Sequence, residues 1–108
     1  MSIKSTLLGT SETTVIQAGS STTAVLSIVF CNTDSVTRSI TVHACPSGVT
    51  AGIANVIISA LPIAAGDSYI WTASEKFILD PSDTISGFVD AVAGNGYGVV
   101  ATPCYMVI

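Results

Sequence analysis

The sequence predicts an all-β fold: an antiparallel β-sandwich of about eight or nine short strands, with the jelly roll among its candidate topologies. Three observations lead there. β-Branched residues dominate, and no segment has convincing helical spacing. Gly, Pro, Asn and Asp recur at intervals of roughly 8–12 residues, the punctuation of a sandwich or barrel. Turns that close together leave no room for the crossovers of a parallel sheet. With 108 residues and no linker, long repeat or composition break, residues 1–108 read as one domain with an N-terminal arm at 1–8.

The arm carries apolar residues at 3–8 and leads to a short strand at 13–17. Next come strands at 22–31 and 36–45, joined through Asn32-Thr33-Asp34-Ser35, whose side chains can bond their own backbone. In the first, Ala24, Leu26, Ile28 and Phe30 point one way. Val25, Val29 and Cys31 point the other, broken by Ser27. In the second, Val36, Ile40, Val42 and Ala44 share a face with Arg38, and Thr37, Ser39, Thr41 and His43 line a wet one. A loop at 46–55 precedes a strand at 55–61, which Pro62 is expected to end. Gly66-Asp67 mark a turn into strand 68–73, with Tyr69 and Trp71 on one face. A separate strand at 76–80 stops at Asp80-Pro81. Strand 84–91 is followed by Asn95-Gly96, the strongest hairpin signal in the chain. The last strand, 98–108, is apolar on both sides. Val99, Ala101, Tyr105 and Val107 lie one way; Val100, Cys104, Met106 and Ile108 lie the other.

Composition excludes several classes of function. Only 9% of residues are charged, far below the roughly 25% of ordinary soluble domains. Ser and Thr, about a quarter of the chain, make the polar surface instead. The net charge of −4 and three isolated cations (Lys4, Arg38, Lys76) leave no footprint for nucleic acid or an acidic membrane. No run approaches the ~18 apolar residues of a spanning helix. The opening residues lack the apolar core of a secretory signal, so synthesis in the cytoplasm is expected. Cys31, Cys45 and Cys104 are an odd set without CxxC spacing and read as reduced, mostly buried thiols.

Chemistry-bearing motifs are sparse. His43 is the single histidine and sits in a strand, where a surface or interface role fits better than catalysis. A zinc site from His43, Cys45, Cys31 and Cys104 lacks the paired spacing of structural zinc. Asp80 and Asp83 read as turn residues rather than calcium ligands. The Gly-rich segment at 94–98 has no following Lys or helix and is not a phosphate cradle. Tyr69, Trp71 and Tyr97 could form a sugar-stacking shelf, though packing is the commoner use of such rings. No enzyme activity, cofactor or metal is expected.

Two-faced strands in a thin sandwich need a cover. Five or six Val, Leu or Ile side chains left wet would forfeit roughly 10 kcal/mol, comparable to a small domain's whole stability. Either another subunit or protein supplies the cover, the favoured reading, or loops of the same chain do. Ile3, Leu7, Leu8, Val25, Val29, Val100, Tyr105, Met106, Val107 and Ile108 are the candidate interface residues.

The stretch TTVIQAGSSTTAVLSIVFCNTDSVTRSITVHACPSG resembles a pattern of small virion proteins of tailed bacteriophages. So do LPIAAGDSYIW and FILDPSDTISG, with their AGD turn and acidic turn before a final strand. The likeness covers residues 13–88 and includes no catalytic residue. It implies a non-enzymatic β-sandwich subunit located in the virion, most readily a capsid decoration protein. Its expected partners are copies of itself, a trimer being favoured, and the major capsid protein or tail and neck proteins. The alternatives are a tail, neck or fibre component, or a small glycan-recognising module.

Overall fold

The computed structural model describes residues 3–93 and 95–108, and of the side chains at 73–76 nothing is described. Eight strands form: β1 (Thr6–Leu7), β2 (Thr13–Gln17), β3 (Thr23–Asn32), β4 (Arg38–Cys45), β5 (Val56–Ile63), β6 (Ser68–Leu79), β7 (Thr84–Val89) and β8 (Val99–Val107). A 3-10 turn, Ile53–Asn55, interrupts the 46–55 loop. The strands make two four-stranded antiparallel sheets, ordered β1-β8-β3-β6 and β2-β7-β4-β5. The first strand pairs with the last, the second with the seventh, the third with the sixth and the fourth with the fifth. That nested pairing, with successive pairs falling alternately in one sheet and the other, is the jelly roll.

Alternation supplies the core. Ile28 and Phe30 of β3, Val99 and Ala101 of β8, Ile40 and Val42 of β4, and Ile85 and Val89 of β7 meet between the sheets. Leu8, Ile16, Ile58 and Ile63 close its margins. The exposed surface is 5721 Å², close to the roughly 5,600 Å² expected of a folded monomer of 11 kDa. This fold therefore hides as much as a lone protein of its mass does. What sets it apart is where the remaining apolar surface lies.

Local turn chemistry behaves as the residues dictate, but several connections go elsewhere. The corner at Asn32–Ser35 is not a hairpin: β3 and β4 lie in different sheets. The same holds for Asn95-Gly96. Gly96 does adopt the left-handed backbone (φ 90°), but the loop carries the chain from β7 in one sheet to β8 in the other. Pro62 does not end its strand. It lies within β5 opposite Ser39, tolerated because β5 is an edge and needs no donor on its outer side. Segments 68–73 and 76–80 are one strand, β6. Between Thr72 and Phe77 its register advances five residues while β3 advances two, from Ser27 to Val25.

That irregularity in β3 corrects the face assignment. An extra residue at Leu26 resets the alternation, so Val25 joins the core cluster and Ala24 moves to the outer face beside Met106 and Ile78. Val25 and Leu8 are fully buried within the chain and are withdrawn as interface residues. The arm also stays at home from Thr6 onward. Thr6 and Leu7 pair with Ala101 and Val100, and the Leu8 N–H donates to the Val99 carbonyl at 2.9 Å.

The β3–β4 corner is held by a polar knot. Asn32 is fully buried; its amide nitrogen donates to the carbonyls of Val36 and Ile63, each at 2.9 Å, and its side-chain oxygen accepts from Asp34 N–H at 3.0 Å. Arg38 clasps Asp34 through Nε (2.9 Å) and Nη2 (2.7 Å). The guanidinium, aided by the Ser35 N–H, holds the Asp34 carboxyl below its ordinary range, against an opposing push from burial. A carboxyl lowered on folding stabilises the native state above its unfolded value, near pH 4, and loses that contribution as pH falls through the folded one. Asp34→Asn should therefore flatten the acid limb of stability. Urea midpoints of the two proteins measured from about pH 5 to pH 2 should converge toward the acid end.

Candidate interaction surface

The two outer faces of the sandwich differ in chemistry. On the β2-β7-β4-β5 sheet the outward row holds Thr14, Gln17, Thr41, His43, Thr84 and Ser86. This is the largely polar face the sequence implied, but His43 and Ser86 are buried on it, and Phe88 and the buried Cys45 share it. Glu12, from the β1–β2 loop, reaches over the sheet. Its Oε2 lies 3.1 Å from His43 Nδ1 and accepts the Ser86 hydroxyl at 2.6 Å, while the Phe88 ring stands 6.2 Å from the imidazole. His43 is thus a covered residue rather than a surface one. Ser, His and an acid do meet here, but not as a nucleophilic triad. Ser86 donates its hydrogen bond to the carboxylate and not to the imidazole, so the serine–histidine contact of such a triad is not formed. The cluster fastens the loop to the sheet. No sequence signal pointed to Glu12, which lies 31 and 74 residues from its partners.

The outer face of the β1-β8-β3-β6 sheet is the more apolar of the two, with Ser and Thr hydroxyls interspersed. Reading across β8, β3 and β6, successive rows are Val100, Cys31 and Ser68; Thr102, Val29 and Ile70; Cys104, Ser27 and Thr72; and Met106, Ala24 and Ile78. Leu7 extends the first row on β1, and the Ser5 hydroxyl meets that of Thr102 at 3.0 Å. Val29, Cys31 and Val100 are half-buried, and Ala24 is fully buried. No strand or loop of the chain pairs across this face among the described residues. Ile70 is 60% exposed, Met106 40% and Ile108 68%; Leu7 and Ile78 are also exposed. Of the sequence-derived interface set, Leu7, Val29, Val100, Met106 and Ile108 belong to this surface or its continuation. Ile3 stands free beyond β1, Val107 is exposed past the end of the core, and Tyr105 turns inward against it. Ile70 and Ile78, absent from that set, lie on the same face.

The remaining sequence candidates are dispersed. Cys31 and Cys104 are on the apolar outer face, whereas His43 and Cys45 are on the opposite side of the sandwich, so the four cannot share a metal. Cys104 is exposed and Cys31 half-buried, against the expectation of mostly buried thiols; Cys45 alone is buried. The Asp83 carboxylate accepts from Ser47 N–H (2.8 Å) and Asp80 N–H (3.0 Å), the turn role expected of it. A cavity of about 200 Å³ beside it, lined by Ala44, Cys45, Phe77 and Leu79, is mostly apolar. Trp71 turns in against the core and packs edge-on to Phe77 at 5.6 Å, so it is not part of an open sugar shelf with Tyr97. No helix among the described residues is long and apolar enough to cross a membrane. Against protein-family models, curated proteins and solved structures, the chain has no match.

Proposed function

We propose that this chain is a non-enzymatic structural subunit of a tailed-phage virion, most readily a capsid decoration protein, which works by burying apolar sheet against its own copies and the particle. The observation that carries this reading is the uncovered apolar face of the β1-β8-β3-β6 sheet, continued by the exposed C-terminal residues Met106–Ile108. Large exposed apolar patches on a folded protein mark interaction sites. Two further points support it. The jelly roll is a common architecture of capsid and lectin domains, which is support by analogy of fold alone. The likeness of residues 13–88 to a pattern of small phage virion proteins supports the choice of particle.

Fractionating purified virions tests it. The protein should travel with DNA-filled heads and be released from them without loss of the capsid shell. Recovery with tails or necks would favour the tail reading, and absence from washed particles would overturn both. Met106→Asp should reduce occupancy on the particle at least ~10-fold while leaving the isolated fold intact, because its side chain is exposed in the free chain and an uncompensated charge is costly to bury.

A further inference from the structure

We propose that Asn95 is a site of spontaneous covalent modification: in the folded protein its side-chain amide closes onto the backbone nitrogen of Gly96, and the cyclic imide opens to an aspartyl or isoaspartyl linkage. Asn95-Gly96 is the turn signal that the sandwich does not use as a hairpin, and both residues lie exposed between β7 and β8. The Asn95 side chain is folded over the backbone that follows it, since its Oδ1 accepts the Tyr97 N–H at 3.2 Å. That bond reaches two residues on, which keeps Cγ beside the intervening Gly96 nitrogen. Oδ1 is also the atom that gains negative charge as the nitrogen adds, and a donor already aimed at it stabilises the tetrahedral intermediate. Gly96 has φ 90°, and no atom stands within 4 Å of the place a Cβ would take, so neither its own side chain nor a neighbour obstructs that side of the ring.

The reaction balances with water as the co-reactant. The Gly96 nitrogen loses its proton to solvent and bonds to Asn95 Cγ. The Cγ–Nδ2 bond breaks, and Nδ2 takes up a proton and leaves as ammonia. Water then splits the imide. Cleavage at Cγ gives aspartate; cleavage at the main-chain carbonyl carbon leaves the backbone running through Cγ. The chain's other two asparagines supply the contrast. Asn32 makes the same kind of bond, to the Asp34 N–H at 3.0 Å, but it is fully buried, its Nδ2 is held by the Val36 and Ile63 carbonyls, and β-branched Thr33 follows it. Asn55 reaches backward instead, its Oδ1 accepting from the Gly52 N–H at 2.9 Å and its Nδ2 donating to the Thr50 carbonyl at 3.2 Å, and Val56 follows it. Conversion of Asn95 adds one negative charge to a chain of net −4. The fold outlasts it, because Gly98, just ahead of β8, is fastened separately: its carbonyl accepts the Thr33 N–H (2.8 Å) and hydroxyl (2.7 Å), and its own N–H donates to that hydroxyl (2.9 Å).

The test incubates the full chain at mildly alkaline pH, folded in buffer and unfolded in urea. Peptide mapping by mass spectrometry follows each asparagine, and enzymatic methylation counts isoaspartyl groups. In the folded protein Asn95 should convert while Asn32 and Asn55 persist, with an unchanged far-ultraviolet spectrum. Gly96→Ala should slow the conversion by roughly 10-fold or more, about 1.4 kcal/mol of added barrier. An Asn95 that survives in the folded protein but converts in urea would show that the loop keeps Cγ from the Gly96 nitrogen, and it overturns the proposal. So does conversion in neither condition, or conversion of Asn32 or Asn55 as fast as Asn95 in the folded chain.

Discussion

Asn32→Leu is expected to lower the melting temperature by roughly 12–20 °C, the largest effect of any single exchange considered for this fold. Asn32 is fully buried where β3 leaves one sheet and the chain turns toward the other. Its amide serves three backbone groups: the carbonyls of Val36 and Ile63 and the N–H of Asp34. Leucine keeps the size and removes all three partners. Each buried backbone group left unpaired costs about 1–3 kcal/mol; at the low end of that range, since water can reach part of the corner, three groups come to about 3–5 kcal/mol. Asn32→Asp should fare no better, since a carboxylate would face two carbonyl oxygens. Thermal unfolding followed by circular dichroism checks both; a fall below about 5 °C for leucine would mean the corner is not held by this amide.

Gly87→Ala should cost about 2 kcal/mol, or roughly 8–10 °C. Gly87 lies in β7 between Thr13 and Val42. A Cβ there would stand 2.7 Å from the Thr41 carbonyl oxygen and 3.3 Å from Val42 Cγ2. The first is backbone in a central strand and has little room to yield. Alanine usually gains about 0.5–1 kcal/mol over glycine in a strand by restricting the unfolded chain, and here that gain is outweighed. Differential scanning calorimetry reads the net change. A rise in melting temperature would show that β4 can shift aside.

The strands were legible because their signals are local. Alternation places the core residues of β4 and β8, and turn residues bound β2 and β7 within a residue or two. Pairing was not legible. Asn32-Thr33-Asp34-Ser35 and Asn95-Gly96 specify a bend, but a bend serves equally to close a hairpin or to carry the chain across a sandwich. Val25 was assigned to the wrong side because one inserted residue at Leu26 reverses everything before it, and nothing in the sequence of β3 announces the insertion. His43 looked open to solvent because the residue that covers it, Glu12, belongs to a distant loop. The apolar outer face was half visible. Its β8 and β3 rows follow from alternation, but Ile70 and Ile78 join it only once β6 is known to flank β3.

The nested pairing of strands fixes when this protein can fold. β8 lies between β1 and β3, so the first sheet has a gap until the final residues are available. At roughly 5–20 residues per second, the ribosome takes about 5–20 s to pass from β1 to the end of β8. Throughout that interval the growing polypeptide holds β1 and one edge of β3 unsatisfied, each able to accept a foreign strand. Closure of this sheet therefore waits on β8, and removing β8 should divert the product into aggregates.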